Sequence, residues 1–260
     1  MATDLLDIPS HPLILGALVF MATWAAALFA SSYLRRRFAL DDGQRDDFGV
    51  IQAASLTLLG LIIGFSFSMA VSRYDQRKNY EEAEANAIGT EYLRADLLPA
   101  ADADRVRSLL RSYLDQRVLF YVTRDGQEVR RIDARTAGLQ GELWSAVLPA
   151  AATRPNPMTA LAVSGMNDVL NSQGYTQSAW SFRIPTGAWL LMAITAVVCN
   201  ALVGYGARGA APRGGGRLLL ILPLLLSIAF TLIADIDAPR HGLIHVRPIN
   251  LTTLSESLRR

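Results

Sequence analysis

Charge-free apolar runs alternate with polar stretches along the chain. Residues 12–34, 48–72, 184–207 and 218–234 contain no Asp, Glu, Lys or Arg. A helix needs about 20 apolar residues to cross a bilayer core, so the first three runs are long enough and the fourth is at the short limit. Buried helices of a soluble protein rarely run so far without a charge. The pattern predicts an all-α integral membrane protein with four transmembrane helices, at about 12–34, 48–72, 184–207 and 218–234. A helical extramembrane domain follows the second span. The boundaries are 1–71 for the first two membrane helices, 72–183 for that domain, 184–235 for the last two helices and 236–260 for a C-terminal tail.

Residues 48–72 have a further pattern. Gln52, Gly60, Gly64, Ser68 and Ser72 recur at multiples of four, so they share one helix face. Gly60, Gly64, Ser68 and Ser72 form a small-xxx-small ladder, which lets another backbone come close in lipid, either within one subunit or between copies. Leu61, Phe65 and Met69 form an apolar row beside it. The run leads into Arg73-Tyr74-Asp75-Gln76-Arg77-Lys78 with no Pro or Gly to stop it, so the helix is expected to continue as a rod beyond the bilayer.

Within 72–183, Arg77 with Glu81 and Lys78 with Glu82 lie four apart, as on a solvated helix. Val106, Leu109, Leu110, Tyr113, Leu114, Arg117 and Val118 give the stripe of a second helix. A third is expected near 134–147, ending before Pro149, and a fourth at about 158–173, stopped by Gly174. Trp180 and Trp189 are expected at the bilayer interface. Pro239 and Gly242 predict a turn, followed by a short strand over 243–249.

Composition narrows the function. The net charge of +2 gives no electrostatic footprint for nucleic acid. Of 25 basic residues all but Lys78 are Arg, which with the abundant Ala suggests a bacterial origin. The single Cys199 excludes an intramolecular disulfide and a thiolate cluster, and it reads as a packing residue. His11, His241 and His245 are too scattered for a metal site. No Ser/His/Asp or Cys/His pairing has the context of a nucleophile, so an enzyme is not expected. Arg35, Arg36, Arg37 and Arg45 in one short loop, with Arg208, Arg213 and Arg217 in another, mark the cytoplasmic side. The N-terminus, the soluble domain and the C-terminus are then expected on the periplasmic face of a bacterial inner membrane.

Two blocks carry a resemblance. GFSFSMAVSRYDQRKNYEEAEANAIGTEYLRADLLP (64–99) and ADIDAPRHGLIHVRP (234–248) resemble the bestrophin-like membrane proteins, a family without a settled function. A looser similarity extends to the bestrophins themselves, pentameric anion channels with four spans per subunit and a cytosolic helical region. Gly64-Phe65 and Ser72-Arg73-Tyr74 stand where the second bestrophin span has its Gly-Phe step and its exit. The resemblance implies a homo-oligomeric ion channel, anions slightly favoured, with Leu61, Phe65, Ser68 and Ser72 lining a hydrophobic neck. Arg73 and Arg77 would be charges at its mouth, and Gly60 and Gly64 its helix-packing positions. Asp235 and Asp237 correspond to an acidic cluster that helps bind calcium in bestrophins; a salt bridge to Arg73, Arg77 or Arg240 is the alternative. Otherwise no cofactor is expected, and the partners are the bilayer, inorganic ions and further copies of the chain. A non-conducting membrane scaffold or envelope sensor, whose helical domain binds a partner, is the competing reading.

Overall fold

The computed structural model describes residues 11–38, 40–153, 155–207, 215–240 and 242–259. The expectations that rest on Arg208, Arg213 and His241 lie outside these residues. Among the described residues the secondary structure is helical. The main elements are α1 (Pro12–Phe29), α2 (Asp42–Arg94), α3 (Ala100–Val122), α4 (Gly126–Thr153), α5 (Pro157–Ser181), α6 (Thr186–Gly206), α7 (Ile221–Asp237) and α8 (Ile249–Ser257). Three helical stretches, Pro12–Arg37, Gly43–Leu97 and Pro157–Gly206, are long and apolar enough to cross a membrane. The chain divides into two compact units. One comprises Met1–Ser72 with Arg183–Ile244, the other Arg73–Phe182 with His245–Arg260.

In the first unit α1 packs against α6 and α7. Its buried positions Gly16, Val19, Thr23 and Ala27 follow helical spacing and are mostly small. Close approach, not bulk, drives such packing in lipid, where apolar burial gains little. The α1–α6 crossing is close enough that a Cβ on Gly204 would strike the Ala27 carbonyl. Ser227 Oγ on α7 donates to the Gly16 carbonyl at 2.8 Å. Beyond Phe29 the helix widens into a π-turn over Ala30–Leu34 before ending at Arg35–Arg37. Ser31 and Ser32 both donate their hydroxyls to the Leu28 carbonyl, at 3.0 and 2.7 Å, and compete with the backbone ladder there.

In the second unit α3 packs on α4 and α4 on α5, with α8 against α3. The core includes Ile88, Val106, Leu110, Leu114, Leu143 and Met166. Helix α2 has 53 residues and contributes to both units; at 1.5 Å per residue it is about 80 Å long, against about 30 Å of bilayer hydrocarbon.

Several expectations are corrected. α4 runs through Pro149 to Thr153, because Val147 and Ala150 are buried on either side of the proline. α5 runs through Gly174 to Ser181, held beyond it by buried Thr176 and Trp180. A mid-helix glycine costs only about 1 kcal/mol, which such packing outweighs. No strand forms over 243–249; irregular chain through Pro248 leads into α8, which begins at Ile249. Trp180 is not an interfacial anchor but lies in the core, edge-on to Phe120 and Tyr121 at 5.1 and 5.3 Å. Trp189 is likewise buried, against Phe230.

Candidate functional site

Within the first unit α2 turns one face to its own chain. Leu59, Ser66 and Ala70 are buried, and Cys199 Sγ on α6 reaches the Ser55 carbonyl at 3.3 Å. The opposite face carries the ladder read from the sequence. Gly60, Gly64, Ser68 and Ser72 are all exposed. A Cβ on Gly60 or Gly64 would meet nothing within 4 Å, so neither glycine serves packing inside the subunit. Leu61 and Phe65 are 53% and 66% exposed. Only 6% of the most apolar stretch of α2 is buried by the chain, against 28% and 33% for the other two candidate spans.

Beyond Ser72 the helix reverses this logic. Its buried face in the second unit sets a row of charges, Arg77, Glu81, Glu84 and Glu91, among the apolar Ala85 and Ile88. Arg77, a pore-mouth candidate, is 1% exposed. It donates from Nε to the Ala179 carbonyl at 3.2 Å and from Nη2 to that of Phe182 at 3.1 Å. A cation thus satisfies the orphan carbonyls where α5 ends, the favourable pole for positive charge. Glu81 does the converse for α8, accepting from Leu251 N at 2.9 Å and from Asn250 Nδ2 at 2.6 Å. Arg73 is half-buried.

One turn on, the fully buried Glu84 carboxylate is paired with the Arg117 guanidinium. Thr176 Oγ1 and Tyr121 OH also donate to Glu84, at 3.1 and 3.4 Å. Arg117 lies over the Phe120 ring at 4.5 Å. Burial works against the Arg117 charge, yet Glu84 more than offsets it and holds the group above its ordinary pKa. Burial, reinforced by Glu84, raises the Tyr121 and Tyr113 phenols.

Glu91 has no such partner. It is 0% exposed, and neither carboxylate oxygen accepts a hydrogen bond. Desolvation pushes its pKa from 4.5 to about 8, with Arg94 opposing and Asp168 adding to the shift. Gly165 on α5 makes the space, since a Cβ there would strike Glu91 Oε2 and Arg94 Nη1. The sequence reading missed Glu84, Glu91 and Arg117 as buried polar groups. The signal was present: Glu84, Ile88, Glu91 and Ala95 share one helical face, and Arg117 falls on the apolar stripe of α3.

Asp235 and Asp237 lie in the last turn of α7, and each carboxylate answers a different piece of backbone. Asp235 accepts from Leu243 N and Ile244 N at 2.7 and 2.8 Å. Both oxygens of Asp237 accept from Ile184 N, at 3.1 and 3.0 Å. Among the described residues no group of three or more His, Cys, Asp or Glu is arranged for a metal ion. Calcium takes six to eight oxygens, and two carboxylates engaged with separate amides do not fit it. The acids hold the chain where it enters α6 and leaves α7.

A bestrophin-like domain model matches residues 17–251. The chain belongs to the bestrophin-like family. This is a family of membrane proteins and not of enzymes. Among solved structures, the bestrophin-like chain resembles a point mutant of a bacterial bestrophin homolog from Klebsiella pneumoniae. Identity is 14%, over 95% of this chain and 97% of that one, at a TM-score of 0.65. A second structure of the Klebsiella pneumoniae homolog gives 14% identity, 94% and 95% coverage and a TM-score of 0.64. A membrane protein with one substitution gives 14%, 95%, 97% and 0.66. No curated protein matches the chain. At such identities the likeness is one of fold, so the bestrophin-like chain shares the bestrophin architecture, while its activity has to be argued from its own residues.

Proposed function

We propose that this bestrophin-like protein is a homo-oligomeric ion channel, with α2 around the axis and Leu61, Phe65, Ser68 and Ser72 lining a hydrophobic neck. The observation that carries the reading is the uncovered face of α2, whose glycines have open space where a neighbouring helix would sit. A ring of Phe65, with Leu61 one turn away, is the kind of apolar constriction that gates by dewetting. A pentamer is the assembly that the bestrophin likeness favours. With Arg77 engaged on the end of α5, the slight preference for anions rests on Arg73.

The membrane arrangement belongs to the same proposal. α7, with 17 residues, is the fourth span, the shortest that crosses at about 1.5 Å per residue. Arg35, Arg36, Arg37, Arg45 and Arg217 lie on the cytoplasmic side of a bacterial inner membrane. The extramembrane segments 72–183 and 236–260 are then periplasmic.

The purified oligomer, reconstituted in planar bilayers, is expected to conduct, and Phe65→Ala to change the conductance or its gating. A correctly assembled oligomer that passes no current refutes the channel and leaves the scaffold or sensor reading. Protection of a tagged helical domain from protease in cells with a permeabilised outer membrane refutes the orientation alone.

A further inference from the structure

We propose a binding site for a phosphate headgroup at the arginine-rich end of the membrane unit, independent of the channel reading. The ends of α1 and α6 and the first turns of α2 enclose a cavity of about 380 Å³ there. Its polar walls are Arg35, Arg45, Gln52 and Tyr205; Leu40 and Phe48 are its apolar side. All the charge among the described lining residues is cationic. Asp41, Asp46 and Asp47 belong to the same stretch of chain but do not line the cavity.

The walls are built rather than incidental. Arg35 Nη1 donates to the Ala207 carbonyl at the end of α6, which fixes the guanidinium at the rim. Tyr205 OH donates to the Phe38 carbonyl, and the Tyr205 ring meets Phe48 at 5.2 Å, tying α6 to both other helices. Guanidinium groups match phosphate oxygens geometrically and are only weakly hydrated. Two of them beside an amide donor, with an aromatic wall on the other flank, suit an amphiphile: a phosphodiester whose glycerol and first methylenes lie along Phe48 and Leu40. Basic pockets between membrane helices on the cytoplasmic side bind anionic headgroups for this reason. The arginine run also divides its work. Arg36 and Arg37 line a separate cleft with Ser32 and Tyr33, which supplies an internal control.

Native mass spectrometry of the purified protein in detergent tests the site with phosphatidylglycerol, phosphatidylcholine and inorganic phosphate as probes. The wild type is expected to retain phosphatidylglycerol, and Arg35→Gln with Arg45→Gln to weaken its binding about tenfold, the equivalent of one charge-assisted contact. Arg36→Gln with Arg37→Gln should bind as the wild type does. Arg35 also supports the end of α6, so Arg45→Gln alone, at an exposed position, is the second variant and should weaken binding about threefold. Displacement of lipid by millimolar inorganic phosphate would show that the phosphate group alone is recognised; resistance to it would assign the site to the lipid. A wild type that retains neither lipid nor phosphate overturns the proposal. Equal binding by a folded Arg45→Gln protein, or equal loss in the Arg36/Arg37 control, does the same.

Discussion

Replacing Glu91 by Gln should make the protein more stable at alkaline pH and leave it nearly unchanged in acid. The carboxyl is fully buried, accepts no hydrogen bond, and has a pKa near 8 in place of 4.5. Below 4.5 the group is protonated in both folded and unfolded chains and contributes no pH dependence. Between 4.5 and about 8 the unfolded chain releases a proton that the folded chain keeps. The unfolded state then binds fewer protons, so stability falls as pH rises, by about 1.4 kcal/mol per unit. Above about 8 the loss levels off. The accumulated difference is about 5 kcal/mol, equivalent to about 20 °C in melting temperature for a unit of this size. Gln keeps the shape and cannot ionise. All other titrating groups are common to the two proteins, so the gap between their melting curves isolates Glu91. Thermal unfolding in detergent, followed by helical circular dichroism from pH 5 to 9, should show the wild type falling progressively behind Glu91→Gln as pH rises. A protonated-carboxyl infrared band present at pH 7 in the wild type and absent from the variant would accompany it. Curves that stay parallel across the range, or a gap that widens in acid, would refute the argument.

The buried Glu84–Arg117 pair should fail when either half is removed alone. Glu84→Leu or Arg117→Met leaves an uncompensated buried charge and should cost about 3–5 kcal/mol, whereas the double variant should recover at least half of that; thermal melts of the three proteins decide. Gly64→Leu should leave the fold of the subunit intact, since the added side chain enters open space, but break the oligomer, as read by light scattering of the detergent complex. An unchanged oligomer would turn that face of α2 toward lipid.

How much of this was legible in the sequence depended on which solvent each segment meets. Residues 48–72 were readable because a charge-free run of that length is rare outside a bilayer, and the continuation of α2 followed from the absence of any breaker after Ser72. The small residues that join α1 to α6 and α7 were not readable. Gly16, Thr23 and Ala27 lie in one apolar run and Gly204 in another far along the chain, and only the fold brings them together. The charged stretch after Ser72 misled for a different reason. Arg77 and Glu81 at a four-residue spacing look like a solvated ion pair, yet each also serves the end of a helix remote in sequence, α5 and α8. Local spacing cannot reveal partners 102 and 170 residues away. Pro149 and Gly174 misled because breaker rules describe local cost, and tertiary burial on both sides outweighed it.

The two faces of α2 also bear on whether its exposed side meets lipid or copies of itself. Exposure of Leu61 and Phe65 decides nothing, because acyl chains solvate them as well as a neighbouring subunit would. The glycines and serines are different. Against lipid, Gly60 and Gly64 offer no side chain to pack and lower helix stability by about 1 kcal/mol each relative to Ala. The hydroxyls of Ser68 and Ser72 gain nothing from hydrocarbon either. A span that faced lipid alone would be better served by Leu or Val at all four places. A span that meets a second backbone is served by small residues, and one that borders a wetted passage is served by hydroxyls. Both conditions hold together for a helix that touches its copies beside a common axis, and this residue pattern, more than the apolar row, is what favours the axial placement of α2.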